Sequence, residues 1–496
     1  MPAPSVNTND VISFMTDGYW AGGSSLVLTY SYGGGSWTGY APGDEPTAPG
    51  YSLFNTAQAN MFVWAMETWD AYVAAEFSQS TSGPGNIRVA FTGIADTGVW
   101  GYAYLPGMGT SSGTKNFTGD IWVDEGYVGS DFAPGGYDYA ALLHEIGHAL
   151  GLDHSFQEDG EPITEGLPAQ YDNTRYSIMS YTDIEDYWYS YFVSDGMGGW
   201  TAEAEGVNPI TPMMFDILVV QDLYGKSTTM NAGATTYTFD PDQAVLQTIY
   251  DAGGVDTWNL AGHVRSSIID LRAACFSSID MFSITDQIEY WVDIMGEGYR
   301  TFITDWIDDP SFPSFTWEDN VAIAYGVTIE NVICGEAGDS VVGNNAVNNL
   351  QGKGGADVLN GMGGNDVLAG GNGADRLIGG VGIDKLAGGG GADKFVLNAA
   401  ASATNRDTIQ DFTVGSDKIQ LENGVFAGLT ATGALSASRF WSSANGNAHD
   451  TDDRILYNSG TGALFYDADG NGGGAKVQIA TLSGAPTVSA SDFLVI

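Results

Sequence analysis

The chain has 496 residues, 43% of them hydrophobic, with 69 glycines and a formal charge of −45 from 16 basic and 61 acidic residues. Such a length predicts two or more cores, and such a charge repels nucleic acid and anionic membranes. No apolar run approaches the ~18 residues of a membrane span, and the start, MPAPSVNTNDVISFM, lacks the basic and apolar regions of a Sec-type signal peptide.

Residues 10–230 read as mixed α and β structure. SSLVLTYSY (24–32) is a strand by its β-branched and aromatic content. FNTAQANMFVWAMETWDAYVAAEF (54–77) reads as a helix, because Phe54, Met61, Trp64, Thr68 or Trp69, Tyr72 and Phe77 recur at helical spacing and would face the core. NIRVAFTG (86–93) and GDIWVDEG (119–126) are short strands. YDYAALLHEIGHALG (137–151) is a helix stopped by Gly151, and TPMMFDILVVQDLYG (211–225) is another ending at a glycine. Residues 231–330 show alternating strand patterns without a usable motif. Residues 331–398 hold the glycine excess, and 399–496 return to strands and turns. Cys275 and Cys334 are too few for a disulfide framework; two buried thiols are preferred over one bridge.

Three of the five histidines fall in HEIGHALGLDH, residues 144–154. His144 and His148 are four apart, so a helix puts both imidazoles on one face. Leu142, Ile146 and Ala149 or Leu150 would face the core and fix that helix. Gly151 then breaks it and lets the chain return His154 to the same ion. Three neutral nitrogen ligands with an open fourth position are the layout of one catalytic zinc ion. Zinc lowers the pKa of its bound water to about 7 and polarises a carbonyl. Glu145, beside the ligands, is placed to take the water's proton and pass it to a leaving amine. His263 and His449 are isolated and read as ordinary surface or core residues.

Residues 334–396 align in nines: CGEAGDSVV, GNNAVNNLQ, GKGGADVLN, GMGGNDVLA, GGNGADRLI, GGVGIDKLA and GGGGADKFV. Position six holds Asp339, Asn348, Asp357, Asp366, Asp375, Asp384 and Asp393; position eight is always apolar, from Val341 to Phe395. A flexible glycine linker would not keep that register. Each unit suits a tight turn and a short strand, stacked as a parallel β-roll. Oxygens of neighbouring turns then converge on calcium, which needs six to eight of them. The repeat resembles the RTX nonapeptide GGxGxDxUx. Its first two units depart, with Asn348 for the acid and Ala337 and Ala346 for a glycine. Asp339, Asp357, Asp366, Asp375, Asp384 and Asp393 are the calcium-site residues this resemblance implies, with the stronger match from Asp357 onward. Several structural calcium ions would then hold the roll, which would fold only where calcium is plentiful.

Together these motifs resemble the metzincins, and among them the serralysin family of secreted bacterial zinc proteases. HEIGHALGLDH matches the zinc signature. YSIMSY (176–181) matches the Met-turn, with Met179 beneath the metal and Tyr181 as a further zinc ligand that moves to assist the oxyanion. WGYAYLPG (100–107) and GDIWVDEG resemble strands upstream of the zinc helix. By that likeness Gly119, Asp120, Ile121 and Trp122 form an edge strand that receives an extended peptide. IYDAGGVDTWNLAG (249–262), VAIAYGVTIEN (321–331) and DTIQDFTVGSDKIQL (407–421) have look-alikes in the family, and DFLVI (492–496) resembles the terminus of type I secretion substrates. Two departures stand out. Ser155 replaces the usual proline after the third histidine, and the segment 183–209 is longer than usual. That segment either shapes the cleft or is a surface insertion. YDADGNGGG (466–474) is either a calcium loop or simple turn chemistry.

The expected fold is an α+β metzincin catalytic domain (1–230) followed by an all-β domain. The latter comprises a first part (231–330), the RTX β-roll (331–400) and C-terminal β-structure with the secretion signal (401–496), with β-sandwich-like flanks. The expected protein is a secreted, extracellular, monomeric zinc endopeptidase. Its partners would be protein or peptide substrates, the type I secretion machinery and, left open, a protein protease inhibitor. Two alternatives remain: a calcium-binding adhesin or surface-layer protein whose peptidase half has decayed, and a processing enzyme with one cognate substrate. An intact Glu145 argues against decay.

Overall fold

The computed structural model describes every residue except 33–36, 38–39, 41–44, 95–97, 108–116, 157–166, 183–187 and 311–312. In the N-terminal half, β1 (Val27–Ser31), β2 (Glu76–Gln79), β3 (Ile87–Thr92), β4 (Gly101–Ala103) and β5 (Asp120–Asp124) form one sheet in the order 2-1-3-5-4. All pairings are parallel except β4 on β5, which is antiparallel. Every residue of β3 is buried, as a central strand covered on both faces requires.

The edge beyond β5 is β4. The expectation that 119–122 is the edge strand is therefore overturned. Asp120, Ile121 and Trp122 lie between β3 and β4 and are fully buried, and Gly119 is buried at the start of the strand. The physical cause is legible afterwards: Ile121 and Val123 bury one face and Trp122 the other, whereas β4 is three residues with Tyr102 and Ala103 only half-buried.

Helix α1 (Thr8–Phe14) precedes the sheet, and α2 (Thr56–Asp70) and α3 (Tyr137–Leu150) pack together. α2 starts at a capping box: the Asn55 side chain accepts from the Gln58 N–H, and the Gln58 side chain accepts from the Asn55 N–H. Helix 54–77 was too long. It stops at Asp70, whose carboxylate accepts the Phe77 N–H at 2.6 Å while 76–79 joins the sheet. Its buried face is Phe62, Ala65, Met66 and Trp69, and Trp64 is 48% exposed. The apolar Tyr72 and Phe77 fit a helical period by coincidence, because they belong to the turn and strand beyond it. α3 buries Leu142, Ile146, Ala149 and Leu150 completely, as expected. α4 (Met214–Tyr224) lies within the predicted 211–225.

From 331 the strands alternate between two sheets. One contains Asn331–Ile333, Asn349–Gly354, Val367–Asn372, Lys385–Gly390 and Asp407–Ile409. The other contains Ser340–Val342, Val358–Asn360, Arg376–Ile378, Lys394–Leu397 and Lys418–Leu421. Neighbours are parallel, and within the repeats partners lie eighteen residues apart, as in Leu350↔Leu368↔Leu386. Val341, Leu350, Leu359, Leu368, Leu377, Leu386 and Phe395 are all 0% exposed, so the position-eight series forms one apolar column. The turns stack so closely that a Cβ at Gly373 or Gly382 would land on the carbonyl of the turn below, Gly355 or Gly364. Phe493–Val495 pairs with Lys418–Leu421 on one side and Gly433–Ala434 on the other, so the DFLVI segment is built into the second sheet.

The strand reading of 231–330 needs a correction. It contains α5 (Ile284–Met295) and α6 (Arg300–Ile307), so this half is not all-β. The start signal was present: Ser283 accepts from the Asp286 N–H, and Gly296 stops the helix at φ 96°. These helices meet a hairpin of β6 (Trp188–Ser194) and β7 (Trp200–Gly206) from the long segment after Met179. Phe192, Val292, Met295, Ile303 and Ile307 form a small core of their own between them. Residues 183–187 of that segment lie outside the described residues. Cys275 and Cys334 are buried free thiols. Among the described residues, no helix is long and apolar enough to cross a membrane.

Candidate metal centre and cleft

At the end of α3, Gly151 takes φ +106°, and a Cβ there would strike the Gly18 carbonyl. The reversal is locked by Leu152 N–H on the Gly147 carbonyl and Asp153 N–H on the Met15 carbonyl. It returns His154 to the two helical histidines. Ring centroids are 4.7 Å apart for His144 and His148, 4.6 Å for His148 and His154, and 5.3 Å for His144 and His154. The Nε2 atoms of His148 and His154 are 3.0 Å apart.

Backbone carbonyls fix two of the rings. His144 Nδ1 lies 2.7 Å from the Ile178 carbonyl, and His148 Nδ1 lies 2.8 Å from the Leu152 carbonyl. A carbonyl only accepts, so each Nδ1 carries the proton and each Nε2 keeps its lone pair. His144 Nε2 is buried with no hydrogen-bond partner. Burial holds all three imidazoles neutral: His144 lies well below its usual pKa, His148 is lowered, and His154 is lowered to about 3. Neutral nitrogen donors converging on one point, one of them orphaned, fit a zinc ion. Glu145 is 6% exposed beside them. Its Oε2 has no partner, and burial pushes its pKa up to about 8.

Met179 is fully buried beneath α3, where Gly147 permits the approach; a Cβ on Gly147 would sit 2.7 Å from the Met179 sulfur. Tyr181 is 67% exposed, its ring 4.6 Å from that of His154 and 5.4 Å from that of His144. The sequence reading missed Asp216, on α4. Fully buried, its carboxylate accepts from Ser177 Oγ (2.6 Å) and from the N–H groups of Ile178 (2.9 Å) and Met213 (2.7 Å). It thereby holds the turn whose Ile178 carbonyl orients His144. Its only sequence signal was an acid, Asp216, set among Met213, Met214, Phe215 and Ile217 near the start of an apolar helix. Asp216→Ala strands three buried donors and is expected to destabilise the protein by about 3 kcal/mol or more, read as a lowered thermal midpoint.

A cleft of about 1030 Å³ runs past Glu145, His148, His154 and Tyr181 and along β4 through Gly101, Tyr102 and Ala103. A second cavity of about 350 Å³ opens beside Glu145 and His144, lined by Trp100, Ala140, Ala141, Ile178, Asn208 and Pro209 among others. The last two come from the end of the long segment, so that segment contributes to the cleft region at its base, while its hairpin packs on α5 and α6.

In the C-terminal half, Asp339, Asp357, Asp366, Asp375, Asp384 and Asp393 all sit at the turn preceding a strand and are buried. One carboxylate oxygen of each accepts the backbone N–H of the residue stacked below: Asp339 takes that of Ser267, Asp357 that of Asp339, and Asp375 that of Asp357. The other oxygen of Asp357, Asp366, Asp375, Asp384 and Asp393 is buried without a hydrogen-bond partner. The ladder extends beyond the repeats to Asp407 and Asp417, which accept from Asp384 and Asp393. It also extends upstream to Asp256, which accepts from Thr235 and has an orphaned second oxygen. Its signal was GGVD at 253–256, in a stretch read as lacking a motif. Asn348 satisfies itself instead: its amide donates to the Glu330 carbonyl (2.9 Å) and accepts the Asn344 N–H (2.9 Å). His263 is buried against Asp280, and His449 sits on Trp441 with Asp450 and Asp453 bonded around it.

Comparison with known proteins agrees with both halves. The family model described as Matrixin matches residues 48–161, and that described as Peptidase M10 serralysin C terminal matches 316–494. The chain is 31% identical over 451 residues to Metallopeptidase AprA of Pseudomonas marginalis, covering 85% of this chain and 77% of that one. It is 31% identical over 314 residues to Serralysin A of Dickeya chrysanthemi and 27% identical over 313 residues to Serralysin of Photorhabdus laumondii, spanning 54% and 55% of their lengths. A histidine triad around one orphaned nitrogen, set in a chain that matches the first of these relatives along most of its length, admits one conclusion: this chain belongs to the serralysin family of zinc metalloendopeptidases.

Proposed function

We propose that the protein hydrolyses extended polypeptides laid along β4, outside the cell, with a calcium-held β-roll behind the catalytic domain. The observation that carries the catalytic reading is the unpartnered, buried Nε2 of His144 within a set of three neutral imidazoles. His144, His148 and His154 would hold a zinc ion, which would supply Lewis acidity to the scissile carbonyl and acidify water. Glu145 Oε2 takes the proton from the attacking water and delivers it to the leaving amine nitrogen. Tyr181, which would also help to hold the metal, would donate its hydroxyl to the oxyanion. Gly101, Tyr102 and Ala103 present edge N–H and C=O groups that pair with the substrate main chain.

Among the described residues, the cavity beside Glu145 has no charged wall residue other than Glu145 itself, so the adjoining substrate side chain should be uncharged and apolar. The C-terminal repeats read as a parallel β-roll whose orphaned aspartate oxygens, with turn carbonyls, ligate several calcium ions. Calcium-poor cytosol would keep the roll unfolded until export by a type I system, for which DFLVI is the candidate signal. The domain division is 1–230, 231–330, 331–400 and 401–496, with the hairpin and α5–α6 bridging the first two.

The test is digestion of casein and of a mixed peptide library, with cleavage sites mapped by mass spectrometry. Hydrolysis should vanish with a zinc chelator and return with zinc, and cut sites should carry an apolar residue on one fixed side of the broken bond. No cleavage of either substrate by folded, zinc-loaded protein would sink this reading in favour of a decayed peptidase or a single cognate substrate.

A further inference from the structure

Ser155, which stands where the resemblance implies a proline after the third histidine, is fully buried. Its hydroxyl donates to Asp172 Oδ1 at 2.7 Å. The same oxygen accepts the hydroxyl of Ser180, also at 2.7 Å, and Ser180 is 4% exposed. Ser155 follows His154, and Ser180 precedes Tyr181. One carboxylate oxygen therefore ties the residue after one site group to the residue before another. The Ser155 N–H reaches the Met179 carbonyl at 3.5 Å, and the Thr182 N–H donates to Ser180 Oγ at 3.1 Å, so both backbones are drawn to the tie. Phe156, next along, lies over His154 at 4.9 Å and against Tyr181 at 4.8 Å.

We infer that Asp172 is a positioning residue, which sets the spacing between His154 and Tyr181 through the Ser155 and Ser180 hydroxyls. A proline would stiffen the chain after His154 but offers no donor to reach across the site. The serine replaces local stiffness with a cross-site hydrogen bond. The inference rests on the zinc-site reading of His154 and Tyr181, but its main readout is metal retention, not hydrolysis.

Asp172→Ala removes the shared acceptor, whereas Asp172→Asn keeps an accepting carbonyl oxygen. Zinc release to excess chelator should accelerate about tenfold or more in Asp172→Ala, within the range for outer-shell partners, and stay near wild type in Asp172→Asn. The cobalt-substituted Asp172→Ala protein should show a shifted visible spectrum, and kcat should fall with KM little changed. If Asp172→Ala does not fold, the double variant Ser155→Ala/Ser180→Ala removes both donors, keeps the carboxylate and should release zinc as fast. Wild-type zinc release in Asp172→Ala or in the double serine variant overturns the inference. So does Asp172→Asn releasing zinc as fast as Asp172→Ala, since charge and not the accepted bonds would then matter. A wild-type protein that holds one zinc yet hydrolyses nothing defeats the proposed function while leaving these comparisons readable.

Discussion

Glu145→Ala is expected to cut peptide hydrolysis by about 10²–10⁴-fold while the protein still binds one zinc and melts near the wild-type temperature. The geometry separates the two roles. The metal-facing atoms belong to histidines held by carbonyls of Ile178 and Leu152, and none of those bonds involves Glu145. Glu145 Oε2 instead faces the site without a partner, in surroundings that raise its pKa to about 8. A dication beside it favours the charged form, and so readies the carboxylate to accept a proton. Removal also relieves an unsatisfied buried oxygen, so stability should not suffer. Glu145→Gln is the sharper control, because it keeps the shape and removes the basicity. Zinc content by metal analysis, with turnover on a quenched peptide, checks both halves of the expectation. Near-normal turnover in either variant would remove Glu145 from the reaction.

The zinc site was legible because its information is local. Two ligands share a helix face, a glycine permits the reversal, and the third ligand follows three residues later. The column from Val341 to Phe395 was legible for a similar reason: a fixed period repeats one geometric fact seven times. What stayed hidden depends on non-local pairing. The resemblance implies an edge at 119–122, yet Ile121, Trp122 and Val123 are apolar on both faces, which argues for the interior of the sheet. The true edge, Gly101–Ala103, is too short to announce itself. Asp216 and Asp172 act across 38 and 8 residues on the Met-turn segment, and nothing in their immediate neighbours marks an acceptor of that kind. α5 is hidden in the sequence although its cap and stop are present, because strand-like alternation over 231–330 competes with the signals of Ser283 and Gly296.

Calcium removal should reverse the sign of the roll's pH dependence. Without the ion, burial raises the carboxyls of Asp357 and Asp366 to about 7, against about 3.9 for an unperturbed aspartate. Stacked Asp339 and Asp375 raise Asp357 further, and backbone N–H donors only partly offset this. A folded-state pKa above the unfolded one means that the folded roll binds protons more tightly than the unfolded chain. Its contribution is then fully present below pH ~3.9 and is lost as pH rises through ~7. The calcium-free roll should therefore be more ordered at pH 5 than at pH 8. If the proposed calcium sites are filled, the opposite is expected, because the ligands must be deprotonated and protons compete with the ion. Each proposed site, filled at a hundred times its Kd, would add about 2.7 kcal/mol, so several such sites would outweigh the repulsion at pH 8. Protein stripped of metals, given back one equivalent of zinc, and compared with and without 10 mM calcium (roughly a hundred times a ~10⁻⁴ M site) tests this. The readout is amide hydrogen exchange over 349–421, which reports the roll apart from the catalytic domain. Protection should fall with pH in the calcium-free sample and rise with pH in the calcium-loaded one. The same trend in both would mean that the orphaned aspartate oxygens do not bind calcium, and the roll would need another source of cohesion.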